Sequence, residues 1–160
     1  RGAGHNDLYA TGGEEYLDSE KYEIRVRDWN APGNIKDYIS RINAIRRENP
    51  ALQEYRNLRF FDSDDDNILV YGKRSFDGRN AVLVAVNLDP FETHQARVHL
   101  PLGEMGIGLE ERFQVHELIT DERHLWKGEV RGIRLDPREE PAAIYRLSRF
   151  PHKDYGTPCY

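Results

Sequence analysis

Cysteine is almost absent from this 160-residue chain: Cys159 stands alone, so no internal disulfide can staple the fold. Methionine is equally scarce, with Met105 the single example. No apolar run approaches the roughly 20 residues that a membrane-spanning helix needs, so no membrane partner is expected. Positive charge is not in excess either. Lys and Arg total 23 against 28 Asp and Glu, a formal net charge of −5, whereas a general binder of phosphate backbones wants a basic face. No nucleic-acid partner is expected. A reducing, cytoplasmic compartment agrees with the near absence of cysteine.

Signatures of self-contained chemistry are missing as well. There is no G-x-S-x-G elbow, no GxxxxGK phosphate cradle and no G-x-G-x-x-G turn. The glycine-rich "GEMGIGL" at 103–109 follows "LP" in a β-rich region and reads as a loop. His5, His94, His99, His116, His124 and His152 form no H-x-x-x-H pair, and no zinc site is expected. His116 stands next to Glu117, but neighbours on a strand point to opposite faces. "DSDDDN" offers Asp62, Asp64 and Asp66 at the alternation of a calcium loop. The glycine that such a loop needs at its sixth position is Asn67, and the closing glutamate is Lys73. An acidic turn is the expectation. No metal, no cofactor and no catalytic residue is assigned within the chain.

What is there divides into three parts. Residues 1–33 carry five glycines and no sustained period. Within them "EEYLDSEKYEIRVRDWN", Glu14 to Asn30, sets nine charged residues beside two tyrosines and a tryptophan. Such a segment is ordinarily solvated surface, or rings laid over a neighbouring domain. Its alternative use is carbohydrate contact, because tyrosine can both stack on a sugar face and hydrogen-bond its hydroxyls. Asn34 is a plausible N-cap, and Ile35, Tyr38, Ile39, Ile42 and Ile45 follow at helical spacing. Arg46, Arg47 and "ENP" then supply a helix end, giving one helix over about 34–48. The isoleucine face needs a large apolar partner, either the β-rich remainder or a domain outside the chain.

From Pro50 onward the period becomes that of strands. "LRFF", "ILVYGKR", "AVLVAVNL", "HQARVHL", "FQVHELIT", "HLW", "EVRGIRL" and "AAIYRL" are eight short runs separated by turn residues. The Asp-Gly of "FDGRN" marks a hairpin. "AVLVAVNL", apolar on both faces, reads as a central strand. The set predicts a mainly β fold, an antiparallel β-sandwich. The tail "SRFPHKDYGTPCY" has no apolar period and reads as extended. The chain opens "RGAGHNDLYATGG", and an excised part of a longer protein is the expectation.

Three strings carry a family resemblance: "GGEEYLDSEKYEIRVRDWNAPGNI", "ISRINAIRRENPALQEYRNLRF" and "VLVAVNLDP". With the later "FQVHELITDERHLWKGE" and "IRLDP", they make the chain, from about Gly12 to Leu147, resemble the carboxy-terminal end of bacterial maltose-1-phosphate maltosyltransferases of the alpha-amylase superfamily. Residues 1–11 and the terminal "RFPHKDYGTPCY" lack a counterpart in that pattern. The resemblance implies a (β/α)8 barrel followed by the β-sandwich. Residues 1–49 would then be the end of the catalytic barrel: the loop after its last strand, Gly12–Pro32, and its last helix. Residues 50–148 would be the sandwich and 149–160 a tail.

The same resemblance implies retaining transfer of maltosyl from α-maltose 1-phosphate to the non-reducing end of an α-1,4-glucan, with release of phosphate. The aspartate nucleophile and glutamate acid/base that this needs fall on earlier barrel strands in such enzymes, so none of Asp18, Glu20 or Asp28 takes those roles. Lys21 and Tyr22 match a pair that contacts the glucose distal to the phosphate, and substrate binding is expected of them. The fragment alone is expected to be inactive. Its partners, through a full-length enzyme, would be α-maltose 1-phosphate and α-1,4-glucan, with a homodimer of the full-length protein a candidate assembly. The alternative is a non-catalytic β-sandwich that binds glucan, through aromatics such as Trp126, Tyr71 or Phe91, or that stabilises a partner domain.

Overall fold

The computed structural model describes Val26 and residues 28–149. The chain divides after Lys36 into two compact units. In the first, Asp28 closes a turn by accepting the Asn30 amide at 2.9 Å, and the Asn34 side chain accepts the Lys36 amide at 3.1 Å. That bond is the capping role expected of Asn34, satisfying an amide that lacks an intrahelical acceptor.

Helix α1 spans Lys36–Glu48, starting two residues later than its apolar period suggests. Its end is closed by side chains. Asn49 Nδ2 donates to the Ile45 carbonyl at 2.8 Å and Gln53 Nε2 to the Arg47 carbonyl at 2.8 Å, while Pro50 opens a short 3-10 turn, Pro50–Leu52. Asn80 holds this corner from the sheet. Its amide donates to Asn49 Oδ1 at 3.1 Å and its Oδ1 accepts the Ala51 amide at 3.0 Å.

Eight strands follow, one for each predicted run: β1 Leu58–Phe61, β2 Ile68–Arg74, β3 Ala81–Asn87, β4 His94–His99, β5 Arg112–Glu117, β6 Arg123–Lys127, β7 Val130–Leu135 and β8 Ala142–Arg149. Every pairing is antiparallel. Six strands form one sheet in the order β1-β2-β3-β8-β5-β6, and β4 pairs with β7 in a separate ribbon. The Asp-Gly hairpin between β2 and β3 is present, with Gly78 at φ +70°, a conformation that disfavours a side chain.

Strand β3 shows why the sequence folds this way. Ala81, Leu83 and Ala85 face an inner core with Val70 of β2, Val98 of β4, Phe113 of β5 and Leu135 of β7. Val82 and Val84 face an outer cluster with Ile45, Ala51, Leu118 and Ile144, against which Ile42 and Leu52 also pack. A strand covered on both faces gains nothing from polar alternation, hence the near-continuous apolar run. The helix lies on the outer face through the C-terminal half of its stripe only. Ile45 is 3% exposed, whereas Ile39 is 50% exposed. Arg41 fixes it there by donating to the Leu118 carbonyl, at 2.6 Å from one terminal nitrogen and 3.0 Å from Nε.

Candidate functional site

Lys21 and Tyr22, the expected sugar-contacting pair, lie outside the described residues. Within them, the aromatics considered as a glucan platform are distributed over different parts of the sandwich. Trp126 packs on the inner core, edge-on to Phe113 at 6.3 Å and tilted against Tyr145 at 5.2 Å, with the Arg131 guanidinium 5.5 Å from its ring centroid. Tyr71 belongs to the outer cluster, edge-on to Phe60 at 6.2 Å, and Phe91 is exposed in the β3–β4 connection. A multi-ring glucan platform needs its rings on one surface, and these three do not share one.

His94 and His116 hold loops. His94 Nδ1 lies 2.7 Å from Asp65 and Nε2 lies 3.2 Å from Asp89, tying the β1–β2 turn to the β3–β4 connection. An imidazole bonded to ionised carboxylates through both nitrogens needs a proton on each. These bonds raise the His94 pKa, Asp65 contributing most; the Asn67 amide on Asp65 and the Phe91 amide on Asp89, followed by His94, hold both aspartates below the usual carboxylate range. The acidic turn is otherwise a structural connector: Asp64 accepts the Arg97 amide at 2.5 Å and Asp65 accepts that of Asn67 at 2.8 Å. Among the described residues no three His, Cys, Asp or Glu side chains converge as a metal-ligating group.

His116 and Glu117 point apart, as strand geometry requires. His116 meets Asp121 at 2.5 Å and Arg146 at 3.2 Å. Glu117, buried, accepts the Ile144 amide at 3.0 Å and both the amide and the hydroxyl of Thr120. Its charge pushes the Glu140 carboxyl up, second to burial, and adds to the burial that pushes Tyr145 up to about 12. Glu117 and Glu140 line one cleft of about 300 Å3. As a carboxylate pair they are not free to react, because Glu117 has both oxygens committed to backbone and hydroxyl donors. A nucleophile or proton acceptor must be free to meet substrate, so Glu117 is a brace between β5 and β8. Adjacency in the sequence singles out His116 and Glu117 but gives no sign of Thr120, Ile144 or Arg146 as their partners.

The outer face offers the most distinctive surface. A groove of about 500 Å3 runs between α1 and strands β1 and β2, lined by Ile42, Ile45, Leu52, Leu58, Phe60, Leu69 and Tyr71, with Arg46 and Lys73 among its polar residues. Phe60 is 64% exposed, and Leu58, Leu69 and Ile39 are exposed as well. Clustered apolar exposure of this kind marks an interaction surface more often than a solvated one. Nothing in sequence spacing distinguishes this face, since Leu58 and Phe60 alternate like any half-buried strand. Among the described residues no helix is long and apolar enough to cross a membrane.

Comparison with known proteins places this geometry. The family profile described as "GLGE, C-terminal" matches residues 60–147. The chain is 50% identical over 149 residues to an alpha-1,4-glucan:maltose-1-phosphate maltosyltransferase of Myxococcus xanthus, covering 93% of this chain and 22% of that protein. A protein of the same name from Rhodospirillum rubrum is 52% identical over 137 residues, 86% of this chain and 20% of that one. The chain therefore spans about a fifth of the length of these relatives. Among solved structures it is similar to an alpha-amylase of Geobacillus thermoleovorans, with a TM-score of 0.57 and 21% identity over 78% of this chain and 25% of that one. An Anoxybacillus alpha-amylase gives a TM-score of 0.54 and 18% identity over 79% and 25% of the two chains. What those two share with this chain is the fold.

Proposed function

This chain belongs to the GLGE C-terminal family, and from that premise we propose that it is the carboxy-terminal portion of a retaining maltosyltransferase. The reaction is transfer of maltosyl from α-maltose 1-phosphate to the non-reducing end of an α-1,4-glucan, releasing phosphate. The observation that carries this reading is the 50% identity to a named maltosyltransferase across 93% of the chain. It takes in both the charged opening segment and the sandwich.

In this reading residues 1–49 complete a catalytic barrel and residues 50–148 form the sandwich that abuts it. The exposed half of the α1 stripe and the apolar groove beside it support that arrangement, because both present apolar surface that an adjoining domain would cover. Lys21 and Tyr22 hold the donor: the ammonium donates to sugar hydroxyls while the phenol ring lies against the C–H face. Their contribution is positioning, since orientation of the donor against the nucleophile lowers the barrier without bond-breaking by either residue. The carboxylates that cleave the glycosidic phosphate lie upstream. Glu117, Asp65 and Asp89 are engaged in structural hydrogen bonds, which supports that assignment.

The test is phosphate release from α-maltose 1-phosphate with glycogen as acceptor. The full-length protein turns over, the isolated chain does not, and Lys21→Ala or Tyr22→Ala in the full-length protein lowers kcat/KM roughly tenfold or more, the worth of about one lost polar contact. Turnover by the isolated chain would overturn the assignment of the catalytic carboxylates, and a full-length protein without transfer activity would overturn the reaction.

A further inference from the structure

At the opposite side of β1 and β2 from the apolar groove lies a cleft of about 440 Å3. Its rim carries Arg56, Arg59 and Arg74, with Glu104 as the one carboxylate lining it. Cations gathered on a chain of net charge −5 call for compensation, yet carboxylates among the described residues supply little. Arg74 donates to the carbonyls of Glu104, at 3.0 Å, and Gly78, at 3.4 Å. Glu104 stands 4.0 Å from Arg59 with both side chains largely in solvent, a contact worth little. Carbonyl partners orient Arg74 and leave its charge in place.

The floor is apolar. Phe61 and Met105 come so close over Gly72 that a Cβ there would meet Phe61 at 2.6 Å and Met105 at 2.9 Å. Only glycine lets the two side chains lie flat on β2. A cationic rim around an apolar floor matches an amphipathic anion, one with a charged group and a C–H face. Guanidinium groups favour phosphate through parallel N–H donors. The volume falls within the range of small-molecule clefts and exceeds what a bare oxyanion fills. We propose that this cleft binds a phosphate monoester of a small sugar, the phosphate on Arg56 and Arg59 and the ring over Phe61. It rests on this geometry alone.

The experiment is equilibrium dialysis of the full-length protein with radiolabelled glucose 1-phosphate, and in parallel with radiolabelled inorganic phosphate, at matched ionic strength. An Arg56→Gln/Arg59→Gln double variant is the comparison. Both side chains are solvent-exposed, so the variant keeps its fold, and circular dichroism checks this. The expected result is one more mole of glucose 1-phosphate bound per mole of wild type than of variant, with inorganic phosphate about tenfold weaker at that site. No difference between wild type and variant would overturn the proposal. So would equal affinity for inorganic phosphate, which would make it a free-anion site, or loss of the difference in added chloride, which would reduce it to screened surface charge. Binding is read without turnover, so a failed transfer assay leaves this result standing and the reverse also holds.

Discussion

The two faces of the six-stranded sheet are built from the same residue types and end in different states. On the inner face Leu83, Phe113 and Val115 have no exposed surface, sealed by the β4–β7 ribbon, whose Val98 is equally buried, and by the 101–107 loop. On the outer face Val82 and Val84 are just as well covered by α1, but Leu58, Phe60 and Leu69 next to them remain open. One face is closed by the chain's own residues. The other is closed only as far as one short helix reaches, and this difference separates residues that hold the sandwich from residues left for a neighbour.

The contrast can be broken most directly at the inner core. Phe113→Ala removes an aromatic ring with no exposed surface and should destabilise the chain by about 3–5 kcal/mol, measured as a shift in denaturant midpoint. A loss below about 1 kcal/mol would mean that this face is not the closed core. Glu117→Ala should cost about 1–3 kcal/mol by the same measurement, because it strands the Ile144 amide in a buried place and removes the acceptor of the Thr120 donors. Glu117→Gln, which keeps acceptor capacity on one oxygen, should recover part of that loss.

Phe60→Ser sharpens the comparison from the other face. In the isolated chain it should change stability by less than about 1 kcal/mol, since the ring is 64% exposed. In the full-length protein the same change should cost more if an adjoining domain covers the groove. Equal small effects in both would remove the docking role.

The smallest expected effect concerns His94. Its folded pKa is raised above the ordinary 6.5, so the stability it contributes is fully present below that value and is lost as pH rises through the raised one. Asp65 and Asp89, whose pKa values are lowered, contribute above the ordinary carboxylate range and lose that contribution as pH falls through their depressed values. An NMR titration should place His94 above 6.5 and show it move down in Asp89→Asn. A His94 value at or below the ordinary one would remove the clamp.

The two faces also differ in how far local sequence foretells them. All eight strands are legible in it, because each is a short apolar or alternating run bounded by turn residues, and β3 announces its two-sided burial through an unbroken "AVLVAV". The helix is legible from its isoleucine spacing and its Arg-Arg end. The division of its stripe is not, since Ile39 and Ile45 are identical in sequence terms and differ only in what stands opposite. Lys21 and Tyr22 come from family resemblance, as local composition allows any charged surface loop that reading. The cation-rimmed cleft joins Arg56, Arg59, Arg74 and Met105 from segments that no periodicity connects.

The sequence by itself determined element type, order and which residues within each element are apolar, because those depend on neighbours a few positions apart. Only the tertiary structure decided that β8 inserts between β3 and β5, that β4 leaves the sheet to pair with β7, and that His94 finds carboxylates 29 and 5 residues away. Those choices depend on contacts between distant segments. Side-chain period encodes a face, and it carries no information about which partner that face will meet.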